Sequence, residues 1–381
     1  MVGGERQVFQ AELSLLRDNG HEVEVYIDDN KRVAQLGGVR TAVKTLWSAE
    51  TYQRIRRTLR ESQFDIVHVH NFFPLISPSI YYAAHAERVP IVQTLHNFRL
   101  LCANANLFRD GKVCEDCLGR PVPWPGIRHA CYRDSLGGSA VVVGMLSLHR
   151  AIKTWKKKIN TYIALSEFSR QKLIEGGLPG EKIVVKPNFI SRDPGFSSVR
   201  RPFALYVGRL SPEKGITTML DAWQLMDEEI PLKIVGDGPL SEQVSSRGAS
   251  LPTVEYLGRL DNDQVLEMMR KAAVLVFPTL CYENFPITII EAYAAGLPVI
   301  ASQMGNAANL IHSQQTGLHF IPGDAQDLAT KVKWIMKHPE QRKNMGLTAR
   351  TTYEQQFTPA QNYLQLRSIY ENTITSAQNG R

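Results

Sequence analysis

Two carboxylates stand eight positions apart in "CYENFPITIIEAYAAGLPVIAS" (281–302), Glu283 ahead of an apolar run and Glu291 inside it. The run reads as a helix, with Pro286 acceptable in its first turn and Gly296 as its stop. A helix start presents unpaired N–H groups and partial positive charge, which suit phosphate; carboxylates are poor phosphate ligands but good acceptors for hydroxyls. A ligand with a pyrophosphate at its centre and hydroxyl-rich sugars at both ends would need both kinds of group. The spacing fits equally well an ordinary solvated helix residue and a loop charge, and by itself does not choose.

Other strand ends carry related chemistry. "YVGRLSPEKG" (206–215) brings Gly208, Arg209 and Lys214 into one loop, where Arg can hold a diphosphate as a fork and Lys as a point charge. A solvated surface loop is the bland alternative. "IVGDGP" (234–239), with Gly236, and "YLGRL" (256–260), with Gly258 and Arg259, close two further strands, and glycine there lets backbone approach a ligand. A lone G-x-G is weak evidence, whereas several such loops in one domain argue for a nucleotide pocket.

A third group is Cys102, Cys114, Cys117 and Cys131, four of the five cysteines, with one C-x2-C between them. An odd count clustered in one stretch argues against a secreted disulfide framework. The four thiolates could hold a structural zinc that orders an insertion at about 100–135. Buried free thiols are the alternative, and an iron–sulfur cluster is a lesser one. Cys281 stands apart as a loop residue. The basic run "HRAIKTWKKKIN" (149–160) carries Arg150, Lys153, Lys156, Lys157 and Lys158 around Trp155. It reads as a solvated helix face or as a peripheral contact with anionic lipid.

The elements that must position these residues alternate strand and amphipathic helix, an α/β pattern. Strands are expected at 23–27, 65–70, 90–95, 161–165 and 182–186, then at 203–207, 232–235, 254–257, 273–277 and 298–301. The Pro-, Ser- and Arg-rich stretch 187–202 has no period and marks a boundary. Domains are therefore expected at 1–190 and 191–358, with a terminal helix in 359–381 crossing back to the first. The second domain opens strand, loop, helix, whereas the first opens on a glycine pair, Gly3 and Gly4, and a helix. Its first, central strand is missing from the pattern, which would leave neighbouring edges unpaired and suggests a start further upstream.

Length and charge bound the rest. A chain of 381 residues suits two domains. The formal charge of +7 suits an anionic ligand without requiring nucleic acid. No signal peptide is evident, and the apolar stretch 139–148 is about half of the roughly 20 residues a membrane-spanning helix needs. A cytoplasmic location is expected, with the inner face of the plasma membrane as a docking option.

"GRLSPEKG", "IVGDGP", "YLGRL" and the E-x7-E stretch, in this order and spacing, resemble the retaining glycosyltransferases of family 4. The resemblance runs from Gly3 to the final helix. It implies the GT-B fold, two Rossmann-like domains facing a cleft, and transfer of a sugar from a UDP- or GDP-sugar to a glycan or lipid-linked acceptor. Cell-surface polysaccharide assembly is the implied setting. Arg209 and Lys214 would then neutralise the diphosphate, Glu291 bind ribose hydroxyls and Glu283 the donor sugar. Backbone N–H groups of Phe285, Pro286's neighbours Ile287 and Thr288 would complete the phosphate cradle, and the base would lie near Gly258 and Arg259. Gly4 would match the family's glycine loop, and His96 in "TLHNF" the histidine near the reacting carbon. His70 and Asn71, ending another strand, are weaker acceptor-side candidates. No Asp-x-Asp motif stands nearby, so no catalytic metal is implied. Asn284 occupies a position where the family usually has glycine, which would narrow the sugar pocket. Rival readings are a sugar-nucleotide epimerase of the same fold, and an inactive scaffold with a zinc-ordered docking surface.

Overall fold

The computed structural model describes residues 4–29, 31–226 and 229–379. The chain divides into two compact units. The first takes the described residues up to Leu107, then Cys114–Pro187 and the chain from Asn362 onward. The second takes Phe108–Val113 and Asn188–Gln361.

In chain order the strands are β1 (Val67–Val69), β2 (Ile91–Thr94), the hairpin β3 (Phe108–Arg109) and β4 (Lys112–Val113), β5 (Thr161–Ala164) and β6 (Ile183–Val185). The remainder are β7 (Ala204–Val207), β8 (Leu232–Val235), β9 (Val254–Gly258), β10 (Val274–Phe277), β11 (Val299–Ser302) and β12 (Gly317–Phe320). The first unit holds a parallel sheet in the order β1-β2-β5-β6. The second holds a parallel sheet in the order β12-β11-β10-β7-β8-β9. Every residue of β2, β10 and β11 is buried, because helices cover both faces of such sheets and the strands become continuous apolar runs.

Residues 23–27, expected as a strand, pair with no strand among the described residues. A β-branched run becomes a strand only when a neighbour completes its ladder, and the described sheet begins at β1. The sequence reading also passed over β12, whose "GLHF" alternates too little to stand out, and the two-residue arms of β3 and β4.

Helix caps follow local chemistry. Asp261 opens the helix Asn262–Lys271 with a capping box completed by Gln264, and Asp324 caps Ala325–Lys337 through the Asp327 amide. The long helix Pro359–Asn379 contributes Leu366 and Tyr370 to a cluster with Leu16, Val92 and Ile163 in the first unit.

Candidate active site

The second unit assembles its candidate residues at the carboxyl ends of β7, β8, β9 and β10. Successive loops are tied together by backbone: Gly208 N donates to Val235 O at 3.1 Å, Gly236 N to Gly258 O at 2.9 Å, and Leu210 N to Asp237 O at 3.0 Å. Gly236 has φ 151°, and a Cβ there would sit 1.8 Å from Gly208 O. A Cβ at Gly238 would meet Leu210 O at 2.3 Å. The glycines of "IVGDGP" are thus required by the neighbouring loop, not only by an approaching ligand. Gly258 also has positive φ, 67°, but open space around it.

Lys214 closes a short 3-10 turn after β7 and donates to Glu283 Oε1 at 2.5 Å. Burial works against the lysine charge, yet the adjacent Glu283 carboxylate offsets this and raises its pKa above the ordinary value. Glu283 Oε1 also accepts from Thr279 Oγ1 at 3.1 Å. Arg209 is exposed, with no ion pair among the described residues, and Arg259 is likewise exposed. The helix Ile287–Ala294 has Pro286 as its N-cap, one residue earlier than the sequence suggested, and Gly296 ends it with φ 67°. Its first N–H groups, at Ile287 and Thr288, have no intrahelical acceptor. Glu291 follows on this helix, and burial pushes its carboxyl up to about 7. The Phe285 ring packs edge-on to Phe357 at 6.1 Å.

Asn284 does not adopt a left-handed backbone, so the replacement of glycine there costs no strain. Its carbonyl and that of Glu283 both accept from Asn306 Nδ2, at 2.6 and 2.5 Å. Asn306 is fully buried, and sequence spacing did not single it out. Cys281 donates weakly toward Glu283 Oε1 at 3.9 Å, and burial raises its thiol to about 12.

In the first unit, His96 and His70 meet at a strand-end cavity lined also by Asn71, Asn97 and Arg99. Their rings stack at 5.1 Å, with His70 Nδ1 2.9 Å from His96 Nε2. Burial lowers both pKa values to about 3. Asn71 Oδ1 accepts from Phe73 N at 2.8 Å. Arg99 lies over the rings of Phe73 and Tyr132 at 4.6 and 5.3 Å, and burial lowers its pKa. Sequence analysis did not identify Arg99. Gly4 is the exposed first residue of the helix Gly4–Asp18; Gly3 lies outside the described residues.

Ligand-type atoms of Glu12, His68 and His70 lie within 4.8 Å of one another. The set does not fit a cation. Lys186 already donates to Glu12 at 2.6 Å, and His68 spends its two ring nitrogens on Tyr370 and Thr94, at 2.7 and 2.8 Å.

A structural zinc at the four cysteines finds no support in the structure. Among the described residues no group of three or more close ligand atoms includes Cys102, Cys114, Cys117 or Cys131. Cys102 donates to Asn104 Oδ1 at 3.0 Å and Cys117 to Pro123 O at 3.6 Å, and burial, together with the neighbouring Cys102, Cys131 and Cys114, lifts the Cys117 thiol to about 12. Packing orders the segment instead: Leu100, Leu101, Ala103 and Leu107 are buried, and Arg150 donates to Leu100 O at 2.6 Å and to Arg120 O. That use of Arg150 also revises the basic run. Trp155 is buried, and Lys158 rests near the Tyr82 ring at 5.3 Å, so Lys153, Lys156 and Lys157 are its exposed cations.

Residues 2–193 match the model of Glycosyltransferase Family 4, and residues 190–352 that of Glycosyl transferases group 1. The D-rhamnosyltransferase WbpZ of Pseudomonas aeruginosa is 34% identical over 41% of this chain and 42% of its own length. A phosphatidyl-myo-inositol mannosyltransferase of Mycobacterium leprae is 25% identical over 87% and 79% of the two chains. The first two curated relatives are matched over only 42% and 58% of their length. Among solved structures, Anabaena Alr3699/HepE in complex with UDP superposes with a TM-score of 0.70 at 18% identity, covering 98% of this chain and 97% of that one. The fold is therefore shared across nearly the full length, with two parallel Rossmann-like sheets.

Proposed function

Since the chain belongs to glycosyltransferase family 4 and has the GT-B fold, we propose that it is a retaining hexosyltransferase using a nucleotide diphosphate sugar. Its acceptor is a glycan or a lipid-linked glycan of the cell surface. The reading rests above all on the Lys214–Glu283 pair, 2.5 Å apart at the carboxyl end of the second unit's sheet, beside the amino end of the helix carrying Glu291.

Cleavage of the bond to the anomeric carbon puts negative charge on the departing diphosphate. Arg209, Lys214 and the N–H groups around Phe285 to Thr288 offset that charge, and they do so without reorganising water. Glu291 accepts from ribose hydroxyls and Glu283 from hydroxyls of the sugar, in place of the bonds it accepts from Lys214 and Thr279. Gly208 and Gly236 keep the adjoining loops close, and the base occupies the surface at Gly258 and Arg259. In the first unit His96, with His70 and Asn71 beside it, provides acceptors for hydroxyl groups.

A UDP-sugar is the favoured donor because HepE is described in complexes with UDP and UDP-glucose. The acceptor class is supported by the phosphatidyl-myo-inositol mannosyltransferase and by the likeness to the lipopolysaccharide outer core galactosyltransferase WaaB. Thermal unfolding in UDP-, GDP- and ADP-sugars tests the proposal. The cognate donor at about 100 times its Kd should add ~2.7 kcal/mol and raise the melting temperature by a few degrees. Lys214→Ala should abolish that shift and lower kcat/KM on the order of 100-fold. No shift with any nucleotide sugar, or full turnover in Lys214→Ala, would sink it.

A further inference from the structure

The helix Gly4–Asp18 turns Val8, Glu12 and Leu16 inward, at the i, i+4, i+8 spacing of an apolar stripe. Glu12 thus places a carboxylate where a leucine would ordinarily pack, and it is 2% exposed. Its Oε1 accepts from Lys186 Nζ at 2.6 Å, and Lys186, itself fully buried, also donates to Asn362 Oδ1 at 3.2 Å. Its Oε2 lies 3.3 Å from His70 Nε2, without the alignment of a hydrogen bond, and has no hydrogen-bond partner among the described residues. A buried ion pair adds little stability over apolar residues of similar volume, so stability alone does not account for this one. Burial would raise the Glu12 pKa, but the Lys186 ammonium, beside it and hydrogen-bonded to it, holds it below the ordinary value, so the group is a carboxylate.

Protons can be placed along the row Glu12, His70, His96. Burial, and then the neighbouring imidazole, keeps each ring neutral with a single proton. A carboxylate oxygen only 3.3 Å from an unprotonated ring nitrogen would be repulsive in a buried setting, whereas an N–H there is attracted to it. The His70 proton therefore sits on Nε2, and its Nδ1 is an acceptor. The hydrogen between the two rings, whose nitrogens are 2.9 Å apart, then belongs to His96 Nε2. His96 Nδ1 is left with a lone pair and no partner among the described residues, on a ring that lines the cavity with Asn97 and Arg99.

We infer that Glu12, anchored by Lys186, is a positioning residue that fixes the tautomer of His70 and through it that of His96, so that His96 offers Nδ1 as an acceptor to a sugar hydroxyl. The inference rests on the reading of His96 as an active-site residue. It makes the first unit's contribution depend on a residue in the helix interior that touches no substrate.

Nitrogen-15 spectra of the histidine-labelled protein test it. In the unmodified chain His96 should show a protonated Nε2 and an unprotonated Nδ1. In Glu12→Gln, buried Lys186 can only donate and so keeps the amide oxygen, turning the amide NH2 onto His70 Nε2. Both rings should then invert, and His96 Nδ1 becomes a donor. The kcat should fall at least about 100-fold, as a wrong tautomer does in related hydrogen-bonded rows, with donor KM changed less than about threefold. In Glu12→Gln/Lys186→Met the amide oxygen is free to face His70, and the original tautomer and much of kcat should return. A His96 protonated on Nδ1 in the unmodified protein overturns the inference even if no variant folds. So does a Glu12→Gln protein whose rings keep their tautomers. Failure of the underlying reading shows separately: His96→Ala with undiminished turnover removes the active-site role while the spectra still assign the tautomer.

Discussion

At the scale of single residues, Glu291 makes a pH-dependent statement. Burial raises its carboxyl from 4.5 to about 7, so the folded chain holds this proton more tightly than the unfolded chain. Its stabilising effect is complete below about pH 4.5 and is lost as pH rises through about 7, amounting to roughly 3 kcal/mol. Urea unfolding at pH 4 and pH 8 should show a drop that is smaller by about that amount in Glu291→Gln. Nucleotide-sugar binding should run the other way, tightening as pH rises through about 7, because the carboxylate is the better acceptor of ribose hydroxyls. An equal pH response in Glu291→Gln would refute both. Glu283, Glu291, Arg209 and Lys214 were legible because each lies in a contiguous motif with its own turn chemistry. Glu12 and Lys186 were not, since 174 positions separate them. One clue was present in the sequence: a glutamate at the centre of a stripe otherwise filled by Val8 and Leu16.

Elements explain which glycines matter. Gly236 and Gly258 both have positive φ, but a side chain at Gly236 would strike Gly208 O, whereas Gly258 faces open space. Gly258→Ala should therefore cost only the left-handed backbone term, about 1 kcal/mol. Gly236→Ala should cost about 2–4 kcal/mol and weaken donor binding, because it forces the Arg209 loop to move. Denaturant midpoints of the two variants provide the check, and equal losses would contradict the packing argument. The second unit's sheet was readable from its buried apolar runs at β7, β8, β10 and β11. Residues 23–27 looked equally strand-like, yet a ladder needs a partner, and propensity carries no information about whether one is present. The cysteines are a different case: C-x2-C spacing describes two thiols, and although Cys102, Cys114 and Cys131 lie close enough to Cys117 to act on it electrostatically, no three of their sulfurs come together as a ligand group among the described residues.

For the molecule as a whole, no helix among the described residues is long and apolar enough to cross a membrane, and the formal charge is +7. Lys153, Lys156 and Lys157 are the exposed cations of the basic run, with Leu148 and Ile152 exposed beside them at 46% and 50%. Replacing the three lysines by glutamate should reduce binding to phosphatidylserine-containing vesicles at least about 10-fold, given about 1 kcal/mol per cation. It should leave binding to neutral vesicles little changed. Undiminished binding in the triple variant would exclude this face.

The ammonium of Lys214 is already occupied by Glu283, whose side chain is 14% exposed. An orthophosphate or sulfate ion that captured the ammonium would strand that carboxylate with little water to replace its cation. A molecule bearing a hydroxyl next to its phosphate compensates both partners in one step. The Lys214–Glu283 pair therefore guards its cation against the abundant small anions around it, and yields that cation only to a guest that brings a proton donor of its own.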